Sequence, residues 1–257
     1  VHGNPTWSFY WRDLIRAFSP QFRCIVPDHV GMGLSEKPSD SDYNYTLSRR
    51  ISDLGAVVDR AVPAGKITLI VHDWGGMIGL GWAVQNPERI DRIVVLNTSA
   101  FAPSKEIKLP WQLKMARSPL GTLLVQGGNA FSVGATLMCT VKSLPAAVKR
   151  GYTAPYRSFD ERVSTLRFVQ DIPLSPKDEA WASVEATDRA LEVFKDTPIL
   201  IQWGTRDFVF HTGFLKQFEK RWPHAEVDRY EAGHYVIEDE TDAVIARISG
   251  FLAPQPD

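Results

Sequence analysis

Cysteine, long apolar runs and excess charge are all scarce in this sequence of 257 residues. Its only cysteines, Cys24 and Cys139, are far apart, which predicts two buried thiols in a reducing compartment rather than a disulfide framework or a metal site. No apolar run reaches the roughly 18 residues that a membrane-spanning helix needs. The net charge of −1 gives no sign of nucleic-acid binding. These absences favour a cytoplasmic protein with neither a transmembrane segment nor a nucleic-acid partner.

Two other features are missing. The glycine loop at 31–33 has no third glycine at the offset that opens a helix, so we expect no dinucleotide and no other cofactor. Val1 directly precedes a His-Gly-Asn-Pro turn, although a strand is expected before such a turn. The N-terminal strands of the fold therefore look missing, and any targeting signal would lie upstream of Val1.

Acidic residues are absent between Ile107 and Phe159, whereas this stretch contains seven basic residues. The interpretation that we favour is a solvated basic face on an inserted segment. The alternative is a basic, apolar mouth that contacts an anionic partner protein, a membrane surface or an amphipathic substrate. The basic residues are Lys108, Lys114, Arg117, Lys142, Lys149, Arg150 and Arg157.

Short apolar runs alternate with amphipathic stretches along most of the chain, which predicts an α/β fold with a mostly parallel sheet flanked by helices. The alternation stops near residue 100 and resumes near 197, so we expect a core formed by 1–100 and 186–257 and a helical cap inserted at 101–185. Predicted strands lie at 22–26, 67–71, 92–96, 198–203 and 225–230, and predicted helices at 7–18, 46–62, 76–86, 214–222 and 239–251.

The sequence Val-His-Asp-Trp-Gly-Gly at 71–76 follows an apolar strand and precedes a helix. A strand, a sharp glycine-flanked turn and a helix form the layout of a nucleophile elbow, here with Asp73 at the position of the nucleophile. A carboxylate at this position predicts attack on an sp³ carbon through an alkyl-enzyme ester. The simpler alternative is that Asp73 only caps the following helix.

Asp207 and His234 each follow a predicted strand, in the chain order nucleophile, acid, histidine that α/β-hydrolases use. Alone, Asp207 could be a turn residue and His234 a surface-loop histidine. The other acid position, at Asn97 and Thr98, has no carboxylate. We therefore predict that Asp207 orients His234, which activates water against the Asp73 ester.

Asn4 and Trp74 are the predicted donors of the site. Their backbone N–H groups are placed to stabilise the oxyanion of ester hydrolysis, and the Asn4 amide and Trp74 indole N–H to hold an anionic leaving group such as halide. The alternative is that Asn4 is only a turn residue and Trp74 only part of the core.

The motifs His-Gly-Asn-Pro-Thr at 2–6, Pro-Asp-His-Val-Gly-Met-Gly-Leu-Ser at 27–35 and His-Asp-Trp-Gly-Gly at 72–76 resemble those of the haloalkane dehalogenases, which belong to the α/β-hydrolase superfamily. The resemblance implies that Asp73 is the nucleophile, that Asn4 and Trp74 bind halide, and that Asp207 and His234 are the acid and base. It implies no cofactor and no metal.

A second resemblance is to the β-lactone decarboxylases of bacterial olefin biosynthesis. Trp-Ser-Phe-Tyr-Trp-Arg at 7–12, Asn-Ala-Phe at 129–131, Ala-Pro-Tyr at 154–156 and Leu-Arg-Phe-Val-Gln-Asp-Ile-Pro-Leu at 166–174 carry it. Those enzymes use the same Asp, His and Asp, act on long-chain lactones and work in multiprotein assemblies. The elbow motifs do not separate the two families.

From the sequence, hydrolytic dehalogenation of a small apolar haloalkane is the leading expectation and β-lactone decarboxylation the alternative. Two weaker readings are an epoxide hydrolase, with Tyr152 or Tyr156 as the proton donor, and a non-catalytic binding protein on the same fold.

Overall fold

Four parallel strands form the central sheet of this computed structural model, which describes residues 1–102, 107, 115 and 117–253. In the described part of the chain they pair in the order β1, β2, β3, β4. A continuous row of partners, Val71, Val95, Ile201 and Val227, crosses all four strands. The expected parallel sheet is therefore confirmed, with β1 at Ile67–Asp73, β2 at Ile90–Thr98, β3 at Ile199–Gly204 and β4 at Glu226–Tyr230.

Helices cover both faces of this sheet. None of the described helices is both long and apolar enough to cross a membrane. Short 3₁₀ segments lie at Ser8–Trp11, Pro87–Arg89, Asp160–Arg162 and Leu191–Phe194, and a π-helix lies at Leu123–Gly127. The α-helices are α1 Arg12–Phe18, α2 Leu47–Ala61, α3 Trp74–Ala83, α4 Pro119–Thr122, α5 Ala130–Met138, α6 Ala146–Thr153, α7 Val163–Gln170, α8 Ala180–Ala190, α9 Thr212–Arg221, α10 Val236–Asp239 and α11 Thr241–Leu252.

The alternation of side chains along the strands divides the core into two clusters. Ile93 and Val95 of β2 pack with α2, α3, α8 and α9, whereas Val94 and Leu96 pack with α1 and α11 on the opposite face. Successive residues of a strand point to opposite faces, so an unbroken apolar run is what a sheet covered on both sides requires.

Helix α2 shows how local sequence sets an element. The Thr46 side chain caps it by accepting the Arg49 backbone N–H at 3.4 Å. Apolar residues three and four positions apart then bury one face of the helix against the core. These are Leu47, Ile51, Leu54 and Val58.

Residues 22–26 do not form the predicted buried strand, and Cys24 is exposed rather than buried. Beside the outer edge of β1, the extended backbone of Val1 makes the ladder-like contacts instead. Its amino group donates to the Ile70 carbonyl at 2.6 Å, and its carbonyl accepts the His72 N–H at 3.2 Å. Within 22–26 only Ile25 and Val26 are partly buried, so apolar composition specified neither burial nor backbone pairing here.

The predicted terminal helix at 239–251 corresponds to α11, which begins two residues later. A short helix that was not predicted, α10, precedes it, and the backbone breaks at Glu240 between the two. The carboxylate of Asp239 at this break accepts the backbone N–H groups of Val141, Lys142 and Gly233 at 2.8–3.1 Å. A side chain that binds three distant backbone groups gives no periodic signal in the sequence.

Between β2 and β3 the described chain is helical, and α4, the π-helix and α5 line one cavity with the carboxyl end of β1. The division into a core and a cap at 101–185 stays a prediction. Its boundary at 185 falls within α8, which packs on α2 and α3. Of the seven basic residues noted above, Lys108 and Lys114 lie outside the described residues.

Candidate active site

Asp73 lies at the sharp turn between β1 and α3, with φ 53° and ψ −129°. A residue other than glycine rarely adopts positive φ, and such strain is typical of a nucleophile elbow. Gly3 packs directly against this turn. A Cβ atom built on Gly3 would lie 1.9 Å from Asp73 Oδ1, so only glycine leaves room for the carboxylate.

The two oxygens of Asp73 have different surroundings. Oδ1 accepts the Asn4 backbone N–H at 2.6 Å, and Oδ2 lies 3.4 Å from His234 Nε2. Among the described residues, Asn4 provides the only backbone N–H that donates to this carboxylate; the Trp74 N–H, which we expected as the second donor, does not contact it. One oxygen is therefore held in place while the other faces the histidine.

His234 connects Asp73 to Asp207. His234 Nδ1 lies 2.7 Å from Asp207 Oδ2, and both side chains are buried. Asp207 Oδ1 accepts the Val209 backbone N–H at 2.7 Å. The three residues predicted as a triad are thus brought together in hydrogen-bonding order at the carboxyl ends of β1 and β3.

Asn97 was not recognised from the sequence as part of this network. Its amide donates to Asp207 Oδ2 at 2.9 Å and to the Gly204 carbonyl at 3.0 Å, and its carbonyl oxygen accepts the Gly204 N–H at 2.7 Å. Asn97 has φ 22° and stands where some hydrolases place the acid itself. A polar residue ending an apolar strand was the available signal.

A second histidine supports the first. His72 Nε2 donates to the His234 carbonyl at 2.9 Å, and its ring stacks on Tyr10 with centroids 4.3 Å apart. Burial, with the nearby charge of His234, lowers the pKa of His72 well below its usual range. His72 is therefore a neutral donor that fixes the backbone of His234.

The charge of His234 follows from its two carboxylate neighbours. Burial alone would lower its pKa, but the Coulombic attraction and hydrogen bonds of Asp207 and Asp73 outweigh burial and raise the pKa to about 10. In the resting site His234 is therefore protonated at neutral pH. Esterification of Asp73 would remove one negative charge and lower this pKa, which would free Nε2 to act as a base.

The predicted donors lie in the same cavity but differ in their partners. Asn4 Nδ2 donates one N–H to the Thr165 carbonyl of α7 at 3.1 Å, and its second amide N–H is left without a partner among the described residues. Within the described part of the chain, the Trp74 indole N–H has no hydrogen-bond partner, and its ring lies 5.2 Å from that of Phe168. An unpaired donor beside an apolar cavity is suited to an anion.

The cavity above Asp73 has a volume of about 290 Å³. Its polar lining residues are Asn4, Asp73, Trp74, Ser99 and His234, and the rest of its lining is mostly apolar. A larger groove of about 600 Å³ beside the outer edge of β1 contains none of the predicted site residues. The smaller cavity is therefore the candidate active site, and its lining favours a neutral, apolar ligand.

Comparisons with known proteins identify the family of this fold. The profile of the alpha/beta hydrolase fold matches residues 1–241. The chain is 46% identical over 263 residues to a cis-3-alkyl-4-alkyloxetan-2-one decarboxylase of Xanthomonas campestris pv. campestris, with 100% of this chain and 88% of the relative covered. It is 30% identical over 262 residues to a haloalkane dehalogenase of Mycolicibacterium paratuberculosis, with 96% and 80% covered. A solved haloalkane dehalogenase variant from Agrobacterium tumefaciens C58 superposes with a TM-score of 0.86 at 25% identity, over 98% of this chain and 87% of that chain.

Replacing Asp207 with Asn should lower the pKa of His234, because it removes the carboxylate charge that contributes most to raising it. NMR titration of the ring in Asp207→Asn and in the native chain measures this shift. Asp91→Asn, at the exposed amino end of β2, is the matched control and should leave the titration unchanged. A His234 titration that is the same in all three proteins would contradict the network described above.

Proposed function

This chain belongs to the alpha/beta hydrolase fold family and is an enzyme of the haloalkane dehalogenase-like type, and we propose that it decarboxylates β-lactones to olefins through Asp73. The observation that carries the proposal is a buried, connected triad of which Asp73 and His234 line an apolar cavity, with Asp207 behind His234. The 46% identity to an oxetanone decarboxylase, against 30% to a dehalogenase, favours the lactone over the haloalkane.

The reaction needs no water. Asp73 Oδ2 attacks the sp³ ring carbon that bears the ring oxygen, and the bond between that carbon and the oxygen breaks. Its electron pair stays on the oxygen, which becomes part of a carboxylate as the ring opens. The bond between this carboxylate and the neighbouring carbon then breaks to release carbon dioxide. Its electrons form the double bond of the olefin, and Asp73 departs as a carboxylate.

The residues of the site suit these steps. Asn4 N–H holds Oδ1 while Oδ2 attacks. The Trp74 indole and the second Asn4 amide N–H are placed to stabilise the carboxylate that ring opening creates. Protonated His234, 3.4 Å from Oδ2, stabilises Asp73 as it leaves the adduct. Because no step of this reaction transfers a proton, His234 contributes through its positive charge and not as a base.

Haloalkane dehalogenation, the leading expectation from the sequence, is retained as the second candidate because Trp74 and Asn4 share the cavity with Asp73. In that reaction Asp73 displaces halide and forms an alkyl ester. His234, whose pKa falls when Asp73 loses its charge, activates water, which attacks the ester carbonyl. The two reactions share the first bond change and differ at the second.

An epoxide hydrolase is less well supported. The hydroxyl of Tyr152 donates to Glu238, and the hydroxyl of Tyr156 lies 3.7 Å from Met32 Sδ. Among the described residues, neither tyrosine lines the cavity, so neither is placed to protonate an epoxide oxygen. A non-catalytic binding role does not account for a hydrogen-bonded triad.

The rim of the cavity extends the proposal to a surface. Met115, Leu124, Met138 and Phe208 line the cavity and are also 38–62% exposed, so the cavity opens between them. Exposed apolar side chains continue outward from this rim on α4, the π-helix and α5, at Leu120, Leu123, Val133 and Leu137. Long alkyl chains could thus extend from the cavity over apolar surface.

Three of the five described basic residues between 107 and 159 form ion pairs. Arg117, Lys142 and Arg157 pair with Asp178, Glu240 and Glu161 at 2.6, 3.0 and 2.8 Å. Within the described residues, Lys149 and Arg150 of α6, which packs on α5, have no ion pair. We propose that these two cations and the apolar rim bind an anionic lipid surface.

Mass spectrometry of the Asp73 peptide after turnover in ¹⁸O-water separates the two reactions. A β-lactone should yield olefin and leave Asp73 unlabelled, because decarboxylation never hydrolyses the ester. A haloalkane that is truly a substrate would label Asp73, because water attacks the ester carbonyl.

His234→Ala provides the second arm of this experiment. If dehalogenation is the native reaction, the variant should accumulate an alkyl adduct on Asp73 while still releasing halide. Label in Asp73 with halide release, and no olefin from the β-lactone, would overturn the decarboxylase proposal in favour of the dehalogenase.

Gly3→Ala should reduce turnover by about 10²-fold or more, because its Cβ would displace the Asp73 carboxylate. Gly250→Ala is the matched control, since a Cβ there meets nothing within 4 Å. Turnover and thermal unfolding are measured for both variants. Full activity in a folded Gly3→Ala protein would contradict the proposed position of the nucleophile.

Reversing Lys149 and Arg150 to Glu should weaken sedimentation with anionic phospholipid vesicles in low salt, because attraction to a charged surface is screened by salt. Arg60→Glu with Lys66→Glu, exposed near the amino end of β1, is the matched control. Equal sedimentation before and after the reversal would leave the solvated basic face as the interpretation.

A further inference from the structure

Arg50 of α2 is a buried cation that the reaction above does not use. Its side chain is 1% exposed. Its guanidinium carbon lies 3.7 Å from the centre of the Phe168 ring and 5.9 Å from that of Trp74. Arg50 does not line the cavity; it lies behind the aromatic residues that do or that support them.

The hydrogen bonding of Arg50 is incomplete. Nη1 donates to Asp171 Oδ2 at 3.2 Å, while Nε and Nη2 have no partner among the described residues. Burying a charge with a single ionic contact is costly, and an apolar residue of similar size would often be neutral or stabilising. Arg50 is therefore poorly explained by stability alone.

Helix α7 connects Arg50 to both candidate anion donors. The Thr165 carbonyl of α7 accepts the Asn4 amide at 3.1 Å, and Phe168 packs edge-on against Trp74 with ring centroids 5.2 Å apart. Asp171 ends the same helix. By holding Asp171 and stacking on Phe168, Arg50 fixes α7 and, through it, the orientation of Asn4 and Trp74.

The positive charge of Arg50 also acts on the region of the two anion donors, Asn4 and Trp74. The cation faces the indole of Trp74 across a buried, poorly polarisable region, where charges interact more strongly than in water. A positive charge behind the donors therefore favours any negative charge that develops in front of them.

We propose that Arg50 is a positioning residue that aligns Asn4 and Trp74 and stabilises the anion they hold. The inference rests on the proposed function only in that an anion develops at these donors, which is true of both candidate reactions. It concerns the leaving group rather than the attack by Asp73.

Bromide binding, followed by quenching of tryptophan fluorescence, tests this without turnover. The chain has eight tryptophans, so the difference between the native protein and Trp74→Phe isolates the signal of interest. We expect Arg50→Met to weaken bromide binding about tenfold or more and Arg50→Lys to restore part of it. Arg49→Met, the exposed neighbour on α2, should bind bromide as the native chain does.

Turnover of the β-lactone adds a readout that a purely structural role would not move. Loss of anion stabilisation should lower kcat with little change in KM, because the neutral substrate carries no charge for Arg50 to attract. Arg50→Met leaves the partly buried carboxylate of Asp171 without its partner. The double variant Arg50→Met with Asp171→Asn, called the neutral pair, removes both charges and is therefore the safer variant for retaining the fold.

The outcomes separate the two proposals. The role of Arg50 would be overturned if folded Arg50→Met, or the neutral pair, had the same bromide affinity and kcat as the native chain. The proposed reaction would be unaffected by that result. A native chain that forms olefin without any Trp74-dependent quenching would also overturn it. If the native chain forms no olefin from the β-lactone, the proposed reaction itself is refuted.

Discussion

The strained turn at Asp73 is the constraint on which the rest of the site depends. Positive φ at a residue other than glycine costs on the order of 1–3 kcal/mol and persists only where neighbours fix it. Here β2 fixes it through Thr98, whose hydroxyl donates to the Asp73 carbonyl, and the N-terminal turn fixes it through Gly3 and the Asn4 N–H. The proposed nucleophile is thus positioned by three segments that meet only in the folded chain.

Periodic and local signals explain how much could be predicted. The alternation of apolar runs with amphipathic stretches was enough for the parallel sheet, and chain order was enough to identify Asp73, Asp207 and His234 as a set that the fold brings together. The segment at 22–26 failed because apolar composition does not determine pairing. Asn97 and Arg50 went unrecognised because their partners lie 110 and 121 residues away.

Electrostatics links the two candidate reactions more closely than their products suggest. His234 lies between two carboxylates and is cationic until one of them loses its charge. In dehalogenation the ester on Asp73 removes that charge and prepares His234 as a base. In decarboxylation the adduct also removes that charge, but it collapses without water or a base, and His234 stabilises Asp73 as its carboxylate returns. One arrangement therefore suits both chemistries, and the substrate decides the fate of the ester. The adduct of a β-lactone carries a carboxylate that can leave as carbon dioxide, whereas the adduct of a haloalkane has none and must be hydrolysed by water.

Positive charge and apolar surface occur together in the acid-free stretch from 107 to 159. The carboxylates that neutralise Lys142 and Arg117 belong to other parts of the chain, Glu240 and Asp178. Arg50 reverses this pattern, since a core cation holds Asp171 at the end of α7. Lys142–Glu240 and Arg50–Asp171 thus join the predicted cap at 101–185 to the predicted core, whereas Arg117–Asp178 lies within that cap. None of these three carboxylates lines the cavity or its mouth. A carboxylate at that mouth would have to be desolvated beside an apolar substrate and would oppose the anion formed at Trp74.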